Sequence, residues 1–152
     1  MSKNTIALIT GANKGIGFET ARQLGQQGIH LLVGARDIAR GEEAVQKLAA
    51  LSVQATFVEL DVTDEKSISR AAQSIAETFA RLDILINNAG ISGGNANIPS
   101  DTALAVMRTV YDTNVFGVVA VTKAMLPLLR KSAAGRIVNV SSRAGFDDAG
   151  QR

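Results

Sequence analysis

The chain has no cysteine and no tryptophan, and only one histidine, one tyrosine and two prolines in 152 residues. Without thiols there is no disulfide framework, no Cys-ligated zinc, no iron–sulfur cluster and no cysteine nucleophile. A single imidazole, His30, is too few for a histidine-rich site, and no metal is expected. Aromatics make up 4%, which leaves single-stranded nucleic acid little to stack on. Sixteen basic residues against 14 acidic ones give a net charge of +2, too small a field to draw in DNA or an anionic membrane. The apolar run near the start, Thr5 to Ile9, is too short for a secretory signal. The most apolar later stretch, Val115 to Leu129, contains Lys123 and Pro127 and is not expected to span a bilayer. The expectation is a cytoplasmic protein with neither nucleic acid nor membrane as a partner.

What is present is an ordinary globular composition, 46% hydrophobic and 20% charged. The length suits one domain, residues 1–152. Short apolar runs alternate with helix-period segments. Strands are expected at Thr5–Thr10, Ile29–Ala35, Thr56–Leu60, Asp83–Ile86 and Arg136–Val140. Helices are expected at Gly15–Gln27, with Ile16, Thr20, Ala21 and Leu24 inward, and at Ile38–Leu51, with Ala44, Val45, Leu48 and Leu51 inward. A third helix, Glu65–Ala80, would be capped by Thr63 or Asp64. A long one runs from Thr102, behind a cap at Ser100 or Asp101, through Asn114 to about Arg130. This alternation implies an α/β fold, a doubly wound parallel sheet with helices on both faces.

Between the first strand and first helix lies Thr10-Gly11-Ala12-Asn13-Lys14-Gly15-Ile16-Gly17. Gly11 permits a tight turn, Gly15 lets backbone approach a pyrophosphate, and Gly17 lets the helix pack on the strand. The helix start then offers free N–H groups and positive dipole to phosphate.

The spacing Gly-x-x-x-Gly-x-Gly after Thr10 resembles the short-chain dehydrogenase/reductase family. Further motifs follow in that family's order: Leu60-Asp61-Val62, Asn87-Asn88-Ala89-Gly90, Asn114, and Val138-Asn139-Val140-Ser141-Ser142 with Gly145. The glycine turn together with Ala35-Arg36-Asp37 and Arg40-Gly41 most resembles the carbonyl-reductase branch. The resemblance implies a Rossmann-type fold and hydride transfer from a nicotinamide cofactor to an aldehyde or ketone, the small-molecule carbonyl substrate. By it, Gly11, Asn13, Lys14, Gly15, Ile16, Gly17, Asp61, Val62, Asn88, Ala89 and Gly90 line the cofactor.

An acid at the end of the second strand would bind a ribose hydroxyl, and an arginine there a 2′-phosphate. Ala35 stands where NAD enzymes of the family carry the acid, and Arg36 follows. With Lys14 this favours NADP(H), although Asp37 keeps NAD open and Arg36 also reads as a solvated loop residue. Asp61 reads equally as an adenine contact, implied by the resemblance, or as a turn acid.

The resemblance assigns Ser142 to orienting the substrate oxygen and Asn114 to holding a water in the proton relay. On local sequence alone, a serine pair at a strand end is an ordinary turn, and Asn114 a polar residue in a helix kink. The family's Tyr-x-x-x-Lys is missing. The one tyrosine, Tyr111, precedes Ser142 and has Val115 four residues on. By family spacing the pair would follow Arg152, as would further strands, so the sheet is expected to be incomplete at its C-terminal side. The chain thus reads as the N-terminal part of a reductase, incompetent as written. The alternative is a non-catalytic nucleotide-binding or interaction module. The resemblance also implies a homo-oligomer packed through the 102–130 helix.

Overall fold

The computed structural model describes residues 5–94 and 103–142. Five strands, β1 (Ile6–Thr10), β2 (His30–Ala35), β3 (Ala55–Glu59), β4 (Ile84–Asn87) and β5 (Arg136–Asn139), form one sheet in the order β3-β2-β1-β4-β5. Every pairing is parallel. Helices α1 (Gly15–Gln26), α2 (Ile38–Ala50) and α3 (Glu65–Phe79) alternate with the first four strands. Between β4 and β5 come α4 (Leu104–Tyr111), a π-helical turn (Asp112–Phe116) and α5 (Gly117–Leu129).

Side chains alternate across a strand, so each strand feeds two cores. On one face Leu8, Leu32 and Leu85 meet Ile68 and Ile75 of α3 and Val121, Met125 and Leu128 of α5. On the other, Ile9, Leu31, Val33 and Ile86 meet Ala21 of α1 and Ala44 and Leu48 of α2. Each fully buried leucine or isoleucine contributes roughly 1.5–3 kcal/mol of transfer free energy. The Rossmann-like α/β architecture follows from this double burial.

Two inward assignments are corrected. Ile16 is 69% exposed, because Gly17 takes the position facing the sheet and turns its neighbour outward. Leu51 is 47% exposed, because it lies just past the last turn of α2, whose buried face is Gly41, Ala44 and Leu48. The cap of α3 is Asp64, not Thr63. The proposed caps Ser100 and Asp101 lie outside the described residues.

The long helical run is continuous from Leu104 to Leu129, 26 residues, and is long and apolar enough by length and composition to cross a membrane. Lys123 and Pro127 do not interrupt it, in keeping with the expected helix to about Arg130. Both sit on its exposed side, where a charge is solvated and a missing N–H removes one ladder bond. Its opposite side, Val121, Met125, Leu128 and Leu129, is packed on the sheet.

The histidine is structural. His30 Nε2 shares a 2.8 Å hydrogen bond with Thr56 Oγ1, and its ring stands edge-on to Phe79 at 5.1 Å. Burial pushes its pKa down. At the amino edge of the sheet, Asp83 accepts from Ile6 N–H at 2.9 Å, Ser132 Oγ at 2.6 Å and Arg81 Nε at 3.1 Å. Burial alone would raise this carboxyl, but the three hydrogen bonds and the Arg81 charge outweigh it and hold the pKa below the ordinary range.

Candidate functional site

The sequence motifs converge on the carboxyl edge of the sheet. Chain order reverses between β1 and β4 there, which in doubly wound sheets opens a crevice. Three helices begin at this edge, and their first turns differ. Asp37 caps α2 by accepting from Arg40 N–H at 2.9 Å, and Asp64 caps α3 by accepting from Lys66 N–H at 2.9 Å. The N-cap of α1 is Lys14, with no side-chain cap bond and no acid in the first turn. Its N–H groups and dipole are left for an outside anion.

The glycines shape that opening. Gly15 has φ +58°, and nothing lies within 4 Å of where its Cβ would stand. Gly17 is the opposite case: a Cβ would come 2.5 Å from Asn88 Nδ2 and 2.6 Å from the Gly11 carbonyl. The helix start therefore lies directly on the β4 turn.

That turn is locked to β1. Thr10 Oγ1 accepts from the N–H groups of Asn88 at 3.0 Å and Ala89 at 2.9 Å. Asn88 Nδ2 returns bonds to the carbonyls of Thr10 and Gly11, at 3.0 and 3.2 Å. The preceding Asn87 is buried and donates to Thr122 Oγ1 and Asn139 Oδ1, tying β4 to α5 and β5. Gly90 faces Asn114, whose side chain donates to the Ile91 carbonyl at 2.8 Å and accepts from Ile91 N–H at 2.9 Å. Asn114 sits in the π turn, as its reading as a kink residue requires. Both ends of its amide are committed to the β4 loop.

Ser142 follows β5 at the same edge and is exposed. β5 brings it there by pairing with β4, ending with Val140 N–H on the Asn87 carbonyl at 2.9 Å. Tyr111 is exposed at the end of α4, and Gly145 lies outside the described residues.

Arg36 is exposed at the end of β2 and makes no ion pair among the described residues. Its neighbour Asp37 is engaged, with Oδ1 capping α2 and Oδ2 3.8 Å from Arg40 Nε. Asp61 Oδ1 accepts from Thr63 N–H at 2.9 Å and Thr63 Oγ1 at 2.7 Å, so it is a turn acid in this structure. Val62 packs where Gly117 lets α5 approach, its carbonyl 2.9 Å from the absent Cβ.

A polar cavity of about 340 Å³ lies between the glycine-rich turn and α2, lined by Asn13, Lys14, Arg40, Glu43, Ala44 and Lys47. Arg40 and Lys47 were not among the expected site residues. Their signal was helical spacing, one face of α2 with Glu43 between them. A larger hollow, about 520 Å³, runs along the outer side of α1 and shares only Gly15 and Ile16 with the site.

A parallel sheet in this order, with a glycine-rich turn at its switch point, is a dinucleotide-binding architecture. The sequence signature of the short chain dehydrogenase family matches residues 5–151, and the chain belongs to that family of oxidoreductases. It is 45% identical over 144 residues to short-chain dehydrogenase anuI of Penicillium roqueforti (strain FM164), covering 92% of this chain and 56% of that one. The actinorhodin polyketide ketoreductase with NADPH superposes with a TM-score of 0.87 at 33% identity, over 96% of this chain and 56% of that chain. A 7α-hydroxysteroid dehydrogenase complexed with NADH and 7-oxo glycochenodeoxycholic acid gives 0.84 at 31% identity, over 94% of this chain and 55% of that one. The chain spans about half the length of the relatives it matches.

Proposed function

We propose that this chain holds NADP(H) for reduction of an aldehyde or ketone carbonyl. The observation that carries the reading is the uncapped start of α1 beside the open space at Gly15. A pyrophosphate fits that opening: backbone N–H groups are available, no side chain competes, and no carboxylate of the first turn repels it. Asn88, Ala89 and Gly90 form the wall opposite, fixed by Thr10. Asn13, Lys14, Ile16, Asp61 and Val62 border the same edge.

The choice of NADP(H) over NAD(H) rests on Arg36 and Asp37. The arginine offers a planar fork to a phosphate. The aspartate that could serve a ribose hydroxyl is instead spent on α2. Lys14, Arg40 and Lys47 add positive charge nearby.

When bound, the cofactor supplies the hydride. The residues of this chain orient the partners. Ser142 Oγ would donate to the substrate oxygen. Asn114 fixes the β4 loop through Ile91, and the family relay through it is part of the reading. The 152 residues contain no Tyr-x-x-x-Lys, so on this reading none of them is assigned the acid that protonates the alkoxide. On this reading the 152-residue chain binds NADPH and leaves it unconsumed.

The test is NADPH absorbance in the presence of a panel of aldehydes and ketones. No oxidation above the blank is expected. Steady turnover that survives Tyr111→Phe would overturn the reading that these residues lack the acid.

The helix from Leu104 to Leu129 is proposed as an association surface. No residue of α4 is buried, and Leu104, Met107, Tyr111, Val115, Phe116 and Val119 are exposed.

A further inference from the structure

The cavity between the glycine-rich turn and α2 combines three cations with one anion. Lys14 comes from the turn, and Arg40, Glu43 and Lys47 come from successive turns of α2. Residues three and four apart on a helix share a face. Glu43 Oε1 is 2.7 Å from Lys47 Nζ. The Lys47 hydrogen bond and charge, with a smaller contribution from Arg40, hold the Glu43 carboxyl below its ordinary range. Glu43 caps no helix, and its side chain is more than half exposed. An exposed pair of this kind adds little to stability.

We infer that Glu43 is a specificity-determining residue: its carboxylate opposes the phosphate that Lys14, Arg40 and Lys47 attract, and so sets how far NADP(H) is preferred to NAD(H). The inference rests on the NADP(H) reading above. In this architecture the adenosine ribose lies between the helix start and the end of the second strand. The cavity flanks that path. NADP(H) brings a phosphate dianion to it, while NAD(H) brings only a neutral hydroxyl. One carboxylate among three cations lowers the attraction without reversing it. Its effect falls on one cofactor and hardly on the other.

The experiment is equilibrium titration of NADP⁺ and NAD⁺ against the wild type, Glu43→Gln and Lys47→Gln, at low and at high salt. Glu43→Gln keeps the length and shape of an exposed side chain. At low salt it is expected to tighten NADP⁺ by about two- to fivefold and leave NAD⁺ unchanged. Lys47→Gln is expected to weaken NADP⁺ by a similar factor. Both effects shrink at high salt, as exposed charges are screened. If Glu43→Gln leaves the preference unchanged or moves it toward NAD⁺, while the wild type still prefers NADP⁺, the inference alone fails. A wild type with no preference for NADP⁺ overturns the underlying reading, and the inference with it.

Discussion

Thr10 and Asn88 hold each other at the switch point of the sheet. The Thr10 hydroxyl accepts the Asn88 N–H at 3.0 Å, and the Asn88 amide donates to the Thr10 carbonyl at 3.0 Å. Thr10 is buried, and a second N–H, that of Ala89, shares its oxygen. This exchange fixes the β4 turn beneath the start of α1 and so shapes the crevice proposed for the cofactor. Thr10→Val keeps the volume but strands two donors. It should cost about 1–3 kcal/mol in urea unfolding and weaken NADPH. Thr10→Ser retains the oxygen and should lose much less. Equal losses for the two variants would show that the hydroxyl is not the important group.

Gly15 and Gly17 should fail in different ways when given a side chain. At Gly17 a methyl meets Asn88 and the Gly11 carbonyl, so Gly17→Ala should lower stability by about 1–3 kcal/mol through overpacking. At Gly15 there is room, and only the positive φ is strained. Gly15→Val should therefore lose stability through the strained backbone and not through a clash, and block the approach of a phosphate. Thermal melts and NADPH titrations of both variants separate these effects. A Gly15→Val that binds NADPH normally would place the pyrophosphate elsewhere.

Asp83 makes stability depend on pH. Its carboxyl is held below the ordinary range, so the folded state takes up a proton less readily than the unfolded one. The stabilisation is complete above the unfolded carboxylate pKa and is lost as pH falls through the lower, folded value. Asp83→Asn should cost about 1–3 kcal/mol at neutral pH. Its urea midpoint should converge on that of the wild type in acid. A gap that stays constant down to acid pH would assign the loss to packing instead of charge.

Ala80 ends α3 in the left-handed region, with φ 63°. A β-carbon is strained there, and glycine is not. Ala80→Gly should raise stability by about 0.5–1 kcal/mol, net of the added freedom of the unfolded chain. A fall in the thermal midpoint would contradict this.

The outer side of the long helix should drive association. Phe116 is 61% exposed within a stripe of apolar residues. Such a patch marks an interaction surface. Phe116→Glu should shift the protein toward the monomer in sedimentation velocity and leave its helix content unchanged. A wild type that is already monomeric would remove this proposal.

Most of the fold could be read from the sequence because punctuation and period agreed. Gly28 ends α1, Asp64 starts α3, and strand boundaries fall within a residue or so of expectation. Ile16 misled because an apolar residue at helical spacing reads as core, while the true inward position was the glycine beside it. Leu51 misled because periodicity does not show where a helix stops. At the site, the glycine turn and the Asn114 kink were local signals. Their partners were not. Asn88 reaches Thr10 across 78 positions, and Asn114 reaches Ile91 across 23. Such bonds exist only once the parallel strands have been placed. Asp61 read equally as a cofactor contact or a turn acid until its bonds to Thr63 were in place, and nothing in the local sequence marked Asp37 as the cap of α2.

The most direct test is a fluorescence titration of NADPH and of NADH into the wild type and Arg36→Ala. The expected result is saturable binding of both by the wild type, with NADPH tighter, and loss of that preference in Arg36→Ala through weaker NADPH alone. Failure of the wild type to bind either cofactor, or tighter binding of NADH, would contradict the account of the α1 start and its flanking cations as an NADP(H) site.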